Sequence, residues 1–84
     1  MTAPLTTTVR VRYFAAAAEA AGTDSEERGE RSLAQLRAGV IADHPALADI
    51  LPRCAVMVDG VRIDGDLALD DAELIDILPP FAGG

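Results

Sequence analysis

The stretch LIDILPPFAGG, Leu74 to Gly84, decides the reading of this chain. Ile75 and Ile77 alternate with Leu74, Asp76 and Leu78, which is the period of a β-strand with two different faces. Pro79-Pro80 ends the strand, because neither proline can donate a ladder hydrogen bond. Four uncharged residues follow and finish on Gly-Gly. A carboxylate on such a thin arm can be threaded into a narrow channel, since glycine has no Cβ to obstruct it.

Working outward, the other end of the chain has the same alternation. Val9, Val11 and Tyr13 fall on one face of a strand, and Arg10, Arg12 and Phe14 on the other. Ala15 to Ala21 is a run of strong helix formers closed by Gly22, the residue suited to a left-handed helix end. Thr23 to Arg31 holds no aliphatic residue and reads equally as a short edge strand or a loop. Ser32 is a cap for a helix to about Asp43, with Leu33, Leu36, Val40 and Ile41 at helical spacing. Gly39 weakens that helix by roughly 1 kcal/mol relative to Ala. Pro45 interrupts it. Ala46 to Leu51 is a further helical turn, which Pro52 is expected to end.

Cys54 to Val58 is apolar and rich in β-branched residues, and Val61 to Ile63 follows Asp59-Gly60. An Asp-Gly pair between two such runs predicts a two-residue hairpin, since both turn positions need positive φ. The order is strand, short helix, possible strand, long helix, hairpin, strand. It predicts an α+β domain of the β-grasp type: a mixed sheet with one main helix on one face, its first and last strands parallel. The expected organisation is a flexible tail over residues 1–7, a domain over 8–80 and a flexible tail over 81–84.

Composition narrows the function. A chain of 84 residues is one domain, and it buries only about 60% of its unfolded surface. That leaves little room for a deep cleft and favours a carrier, subunit or binding module. The net charge is −7, and all seven basic residues are Arg. Phosphate backbones and anionic lipid repel such a surface, so neither nucleic acid nor membrane is an expected partner. No signal peptide and no stretch near the ~20 residues of a membrane span is evident, and the cytoplasm is the expected compartment. One cysteine cannot form an intramolecular disulfide or supply the four ligands of an iron–sulfur cluster. Cys54 reads as a small buried hydrophobe. His44 has no second ligand at metal spacing and reads as a surface residue near a helix end. Asp64, Asp66, Asp70 and Asp71 lack the spacing of a calcium loop and read as a solvated connection. No metal site is expected.

The tail carries the chemistry. ATP can activate a carboxylate as an acyl-adenylate with loss of pyrophosphate. Sulfide or a persulfide can then displace AMP and leave a thiocarboxylate, a soft nucleophile. No general base is needed from the chain itself, and none is evident.

The tail Leu78-Pro79-Pro80-Phe81-Ala82-Gly83-Gly84 resembles that of the MoaD family, the small subunits of molybdopterin synthase, within the wider MoaD and ThiS group. The strand Val9 to Ala15, with its Tyr13-Phe14 pair, resembles the family's opening strand. Asp70-Asp71-Ala72-Glu73 corresponds to its Asp-Gly-Asp-type turn, with Ala72 where the family's glycine stands, a position that would cost about 1 kcal/mol if it required positive φ. The resemblance spans about Thr8 to Gly84. It implies a thiocarboxylate on Gly84, made by a MoeB-like, E1-type adenylating enzyme that uses ATP; no cofactor is bound by the chain itself. It implies that Phe81, Ala82, Gly83 and Gly84 enter a MoaE-like large subunit. That subunit supplies the catalytic side chains for sulfur transfer to cyclic pyranopterin monophosphate in molybdenum cofactor biosynthesis. It further implies an apolar docking patch of Phe14, Leu78 and Phe81, with Leu74 beside it. Arg10 and Arg12, on the same face, read as solvated. Two alternatives stand beside this: a ThiS-like or cysteine-synthesis sulfur carrier, and a β-grasp interaction module with an inert tail.

Overall fold

A computed structural model describes residues 8–80. The elements run β1 (Val9–Tyr13), α1 (Ala16–Ala21), β2 (Ser25–Arg28), α2 (Leu33–Asp43), α3 (Leu47–Ile50), a single 3-10 turn (Leu51–Arg53), β3 (Ala55–Val58), β4 (Val61–Arg62) and β5 (Leu74–Leu78). The sheet order is β2-β1-β5-β3-β4. β1 and β5 pair in parallel, with Val11 opposite Ile75, and the other pairings are antiparallel. This is the expected mixed β-grasp sheet, and it settles Thr23 to Arg31: β2 is an edge strand.

The core lies between one face of the sheet and the helices. Val9, Val11 and Tyr13 from β1, Val56 and Val58 from β3, and Ile75 and Ile77 from β5 meet Leu33, Leu36 and Val40 of α2. Leu47 and Leu51, with Ala17 and Ala21 of α1, complete the core. Each fully buried Leu or Ile contributes about 1.5–3 kcal/mol, a large share of a small domain's total.

At the N-terminus of α2 the N–H groups of Leu33, Ala34 and Gln35, which have no partner within the helix ladder, are all paired before the ladder begins at Leu36. Leu33 N–H donates to the Leu67 carbonyl at 2.9 Å, and Leu36 N–H to the Ser32 carbonyl at 2.9 Å. Ala34 N–H donates to Asp66 Oδ1 at 2.8 Å, and Gln35 N–H to Ser32 Oγ at 3.2 Å. Asp66 is thus a helix cap borrowed from the β4–β5 connection, not a merely solvated carboxylate. Its backbone donors, Ala34 first, hold its pKa below the usual range.

The Asp59-Gly60 turn has φ of 49° and 85° at its two positions, as the hairpin requires. Asp59 also accepts from Leu74 N–H at 2.9 Å and Glu73 N–H at 3.1 Å, which ties the hairpin to the start of β5. Gly22 ends α1 at φ 73°, its N–H donating to Ala18 O. Pro52 does not end the helical segment. It lies at the start of the 3-10 turn, where its missing N–H is not needed. Ala72 avoids positive φ: among the described residues that conformation outside glycine is confined to Ala15 and Asp59. Its methyl is instead buried in the core. Among the described residues no helix is long and apolar enough to cross a membrane.

Candidate docking face and carrier end

The parallel β1–β5 pair sets the site. The two strands alternate in phase, so the residues facing away from the helices form rows across the sheet. One row is Ser25, Arg12, Asp76, Met57 and Arg62. Below it, Glu27, Arg10 and Leu74 align across three strands. Above it, Leu78 pairs with Ala55, and Phe14 follows directly on β1.

Phe14 is 37% exposed, a large value for an aromatic ring on a small domain. Its N–H donates to the Ile77 carbonyl at 3.1 Å, so the ring lies where the chain leaves β5. Leu74 and Leu78 are half-buried, Pro79 is buried and Pro80 is exposed. Phe81, Ala82, Gly83 and Gly84, the predicted tail and carrier residues, lie outside the described residues, as do residues 1–7. The predicted patch is not continuous, because Leu74 is separated from Phe14 and Leu78 by the Arg12–Asp76 row.

Arg12 is not merely solvated. Its Nε and Nη2 donate to the two oxygens of Asp76 at 2.7 and 2.8 Å, a bidentate fork. Its guanidinium carbon stands 5.5 Å from the centroid of the Phe14 ring, within cation–π range. Arg10 makes an ion pair with Glu27 at 2.9 Å, both side chains about half exposed, which is worth little in water.

Beyond Phe14 the chain turns sharply. Ala15 has φ 50° and ψ −125°, and Ala17 N–H closes the turn on the Phe14 carbonyl at 3.0 Å. A side chain rarely adopts that backbone conformation, and holding it there stores about 1–3 kcal/mol of strain. Nothing in the sequence pattern announced it, since alanine reads as a helix former.

A second polar constellation sits on the helix side of β2. Tyr13 Oη donates to Glu26 Oε2 at 2.5 Å, and His44 Nε2 lies 2.9 Å from the same oxygen. The His44 ring meets the Tyr13 ring edge-on at 6.1 Å between centroids. Arg28 pairs with Glu30 at 2.5 Å and Asp43 at 2.6 Å. Burial, with Glu26 adding to it, pushes the Tyr13 phenol far up, while Arg28 holds the Glu30 carboxyl below its usual range. His44 therefore stands at the end of α2, as expected, but is half-buried and hydrogen-bonded instead of solvated. The Arg28–Glu30 pair lies against α2 at Gly39, where any Cβ would collide with both side chains. Those atoms are the tips of flexible side chains, so an added methyl would displace them and disturb the ion pair they form.

Cys54 is half-buried, its Sγ donating to the Ile50 carbonyl at 3.3 Å. Burial pushes its thiol up, so it is protonated near neutral pH and a poor nucleophile. Among the described residues no group of three or more His, Cys, Asp or Glu side chains is gathered as metal ligands.

Comparison with known proteins agrees with this architecture. The ThiS family model matches residues 11–84. A Chlamydomonas reinhardtii protein described as molybdopterin synthase sulfur carrier subunit is 36% identical over 81 residues, covering 90% of this chain and 98% of that protein. A chain from the complex of subunits 1 and 2 of molybdopterin-converting factor from Helicobacter pylori is similar at TM-score 0.70 and 28% identity, covering 93% of this chain and 100% of that one. The putative molybdopterin converting factor subunit 1 of Pyrococcus furiosus shares the fold at TM-score 0.75 and 24% identity, covering 88% of this chain and 98% of that one.

Proposed function

The chain belongs to the ThiS family, and on that footing we propose that it is the sulfur-carrying small subunit of a molybdopterin synthase. Gly84 is the working residue. One carboxylate oxygen attacks the α-phosphorus of ATP on an E1-type, MoeB-like enzyme, and pyrophosphate leaves. Hydrosulfide, free or delivered from a persulfide and a reducing thiol, attacks the acyl carbon of the adenylate. AMP leaves with the electron pair, and a thiocarboxylate remains. In the pocket of a MoaE-like large subunit its sulfur attacks a side-chain carbon of cyclic pyranopterin monophosphate, and the oxygen substituent on that carbon leaves with the C–O electron pair. Hydrolysis of the resulting thioester returns the Gly84 carboxylate and leaves the sulfur on the pterin. Two carriers supply the two sulfurs of the dithiolene.

The domain's part is to dock and to aim. Phe14, Leu74 and Leu78, with Phe81, form the face that seats on the large subunit, and residues 81–84 reach into its pocket. One observation carries the reading: exposed Phe14 is bonded through its backbone to Ile77, beside the exit of β5 toward Gly-Gly. A docked face there fixes the origin of a four-residue arm. The catalytic side chains belong to the partner, in keeping with a protonated Cys54. The absence of Lys bears on the same chemistry. An acyl-adenylate is an electrophile, and arginine, charged at any working pH, does not compete for it as an ε-amine does.

Intact-mass spectrometry tests this. Incubation with ATP, sulfide and a MoeB-like enzyme is expected to add about 16 Da, sulfur for oxygen, localised to Gly84. No gain with several active enzymes of this type refutes the carrier role. Deleting Gly83 and Gly84 is expected to abolish sulfur transfer, whereas a pure interaction module keeps its activity. Co-purification with a MoaE-like protein and not with a thiazole synthase separates the molybdopterin branch from the ThiS-like one.

A further inference from the structure

The docking face has a feature that an apolar patch does not require. Asp76 is a carboxylate only 17% exposed in the middle of the sheet's open side, and it is neutralised by one residue, Arg12. Both of its oxygens are engaged by that guanidinium. Arg12, 46% exposed, spends two of its five N–H groups on Asp76 and lies against the Phe14 ring. The other arginine on this strand makes a looser pair at the sheet edge. Asp76 therefore fixes the fork of Arg12, and the fork fixes the aromatic ring beside it.

We propose that Arg12 and Asp76 are specificity-determining residues of the docking face. Asp76 orients Arg12, and Arg12 holds Phe14 in its docking position and presents a fixed set of N–H donors next to it. The matching partner surface is a protein pocket that takes an aromatic ring and carries a hydrogen-bond acceptor, a carboxylate or a backbone carbonyl, at its rim. A partner with an entirely apolar socket leaves the remaining Arg12 donors desolvated and unpaired, which is the unfavourable term that rejects it. This inference rests on the reading of the Phe14 face as the surface that meets the large subunit. It goes further in naming the polar pair that selects among large subunits.

The test is calorimetric titration of the full chain with the large subunit from the same genome, each variant first matched for folding by its thermal midpoint. Phe14→Ala tests the face itself and is expected to weaken binding at least about tenfold, as loss of a central aromatic anchor does. Arg12→Leu/Asp76→Ala replaces the ion pair by apolar groups, a change that folded domains tolerate because no charge is left alone. It is expected to keep the melting temperature and still bind about tenfold more weakly. Arg12→Lys keeps the charge but not the fork, and is expected to fall between wild type and the double variant. Weak binding by Phe14→Ala with wild-type binding by both the double variant and Arg12→Lys overturns the proposal and leaves the docking face intact. Wild-type binding by Phe14→Ala overturns the docking reading and the proposal together. Should the double variant not fold, Arg12→Lys decides alone: unchanged affinity at unchanged melting temperature overturns the proposal.

Discussion

Ala15 is the residue whose replacement is most informative about how the domain is built. With φ 50° and ψ −125° it occupies backbone space that glycine enters freely and alanine does not. Ala15→Gly removes about 1–3 kcal/mol of strain. It also gives the unfolded chain more freedom, which offsets about 0.4–1 kcal/mol. The methyl is exposed, so no buried contact is lost with it. The net expectation is a gain of about 1 kcal/mol, or a thermal midpoint raised by roughly 4–8 °C for a domain this size. Circular dichroism melts at matched concentration, with reversibility checked by rescanning, measure it directly. The same substitution loosens the turn that follows Phe14, so affinity for the large subunit is expected to fall while stability rises. An unchanged or lowered midpoint refutes the strain argument. A raised midpoint with unchanged affinity refutes the link between that strain and docking.

Other consequences follow from the same geometry. Gly22→Ala places a Cβ at φ 73°, where nothing crowds it but the backbone conformation is unfavourable, and is expected to cost about 1–2 kcal/mol, read as a lower urea midpoint with unchanged slope. Acid stability depends on Asp66 and Glu30, whose folded pKa values lie below their unfolded ones. Their contribution is complete above about pH 5 and disappears as pH falls through the depressed folded values, because the unfolded state binds more protons in that window. Asp66→Asn is therefore expected to flatten the fall in stability between neutral pH and about pH 3; an unchanged fall removes Asp66 from the account.

What could be read from the sequence was what repeats locally. The alternation in Val9–Tyr13 and Leu74–Leu78 is imposed by burial on one face, and burial is what the structure shows. Asp59-Gly60, Gly22 and Ser32 carry their conformations in their own chemistry, so their turn and caps stand where expected. What escaped was set by distant partners. β2 has no aliphatic residue because its helix-facing side chains, Glu26 and Arg28, are half-buried and held by ion pairs and hydrogen bonds. No hydrophobic period marks such a strand. His44 becomes legible only when Glu26, 18 residues away, is brought against it. Asp66 caps a helix that begins 33 residues earlier in the chain, through a bond to Ala34, 32 positions away. Arg12 looked solvated because Asp76, its partner, is 64 residues off and reaches it only through the parallel register.

The places where local rules are broken are not scattered. The Ser32 cap of α2, the Gly22 end of α1, the hairpin turn and the core alternation agree with the residues that form them, which is the consistency expected of a sequence that specifies one structure. Two departures stand out: alanine at positive φ, and a half-buried carboxylate, Asp76, held by a bidentate arginine on the sheet's open face. Phe14 is flanked by both, with Ala15 next in sequence and Arg12 against its ring. Neither departure is needed to close the core, since Val11, Ile75 and Ile77 are already fully buried beneath them. A structural cost concentrated around one exposed aromatic ring makes sense if the ring's orientation is what is being maintained. In a carrier that orientation matters twice: it sets where the domain seats on its partner, and so where a short arm begins its reach.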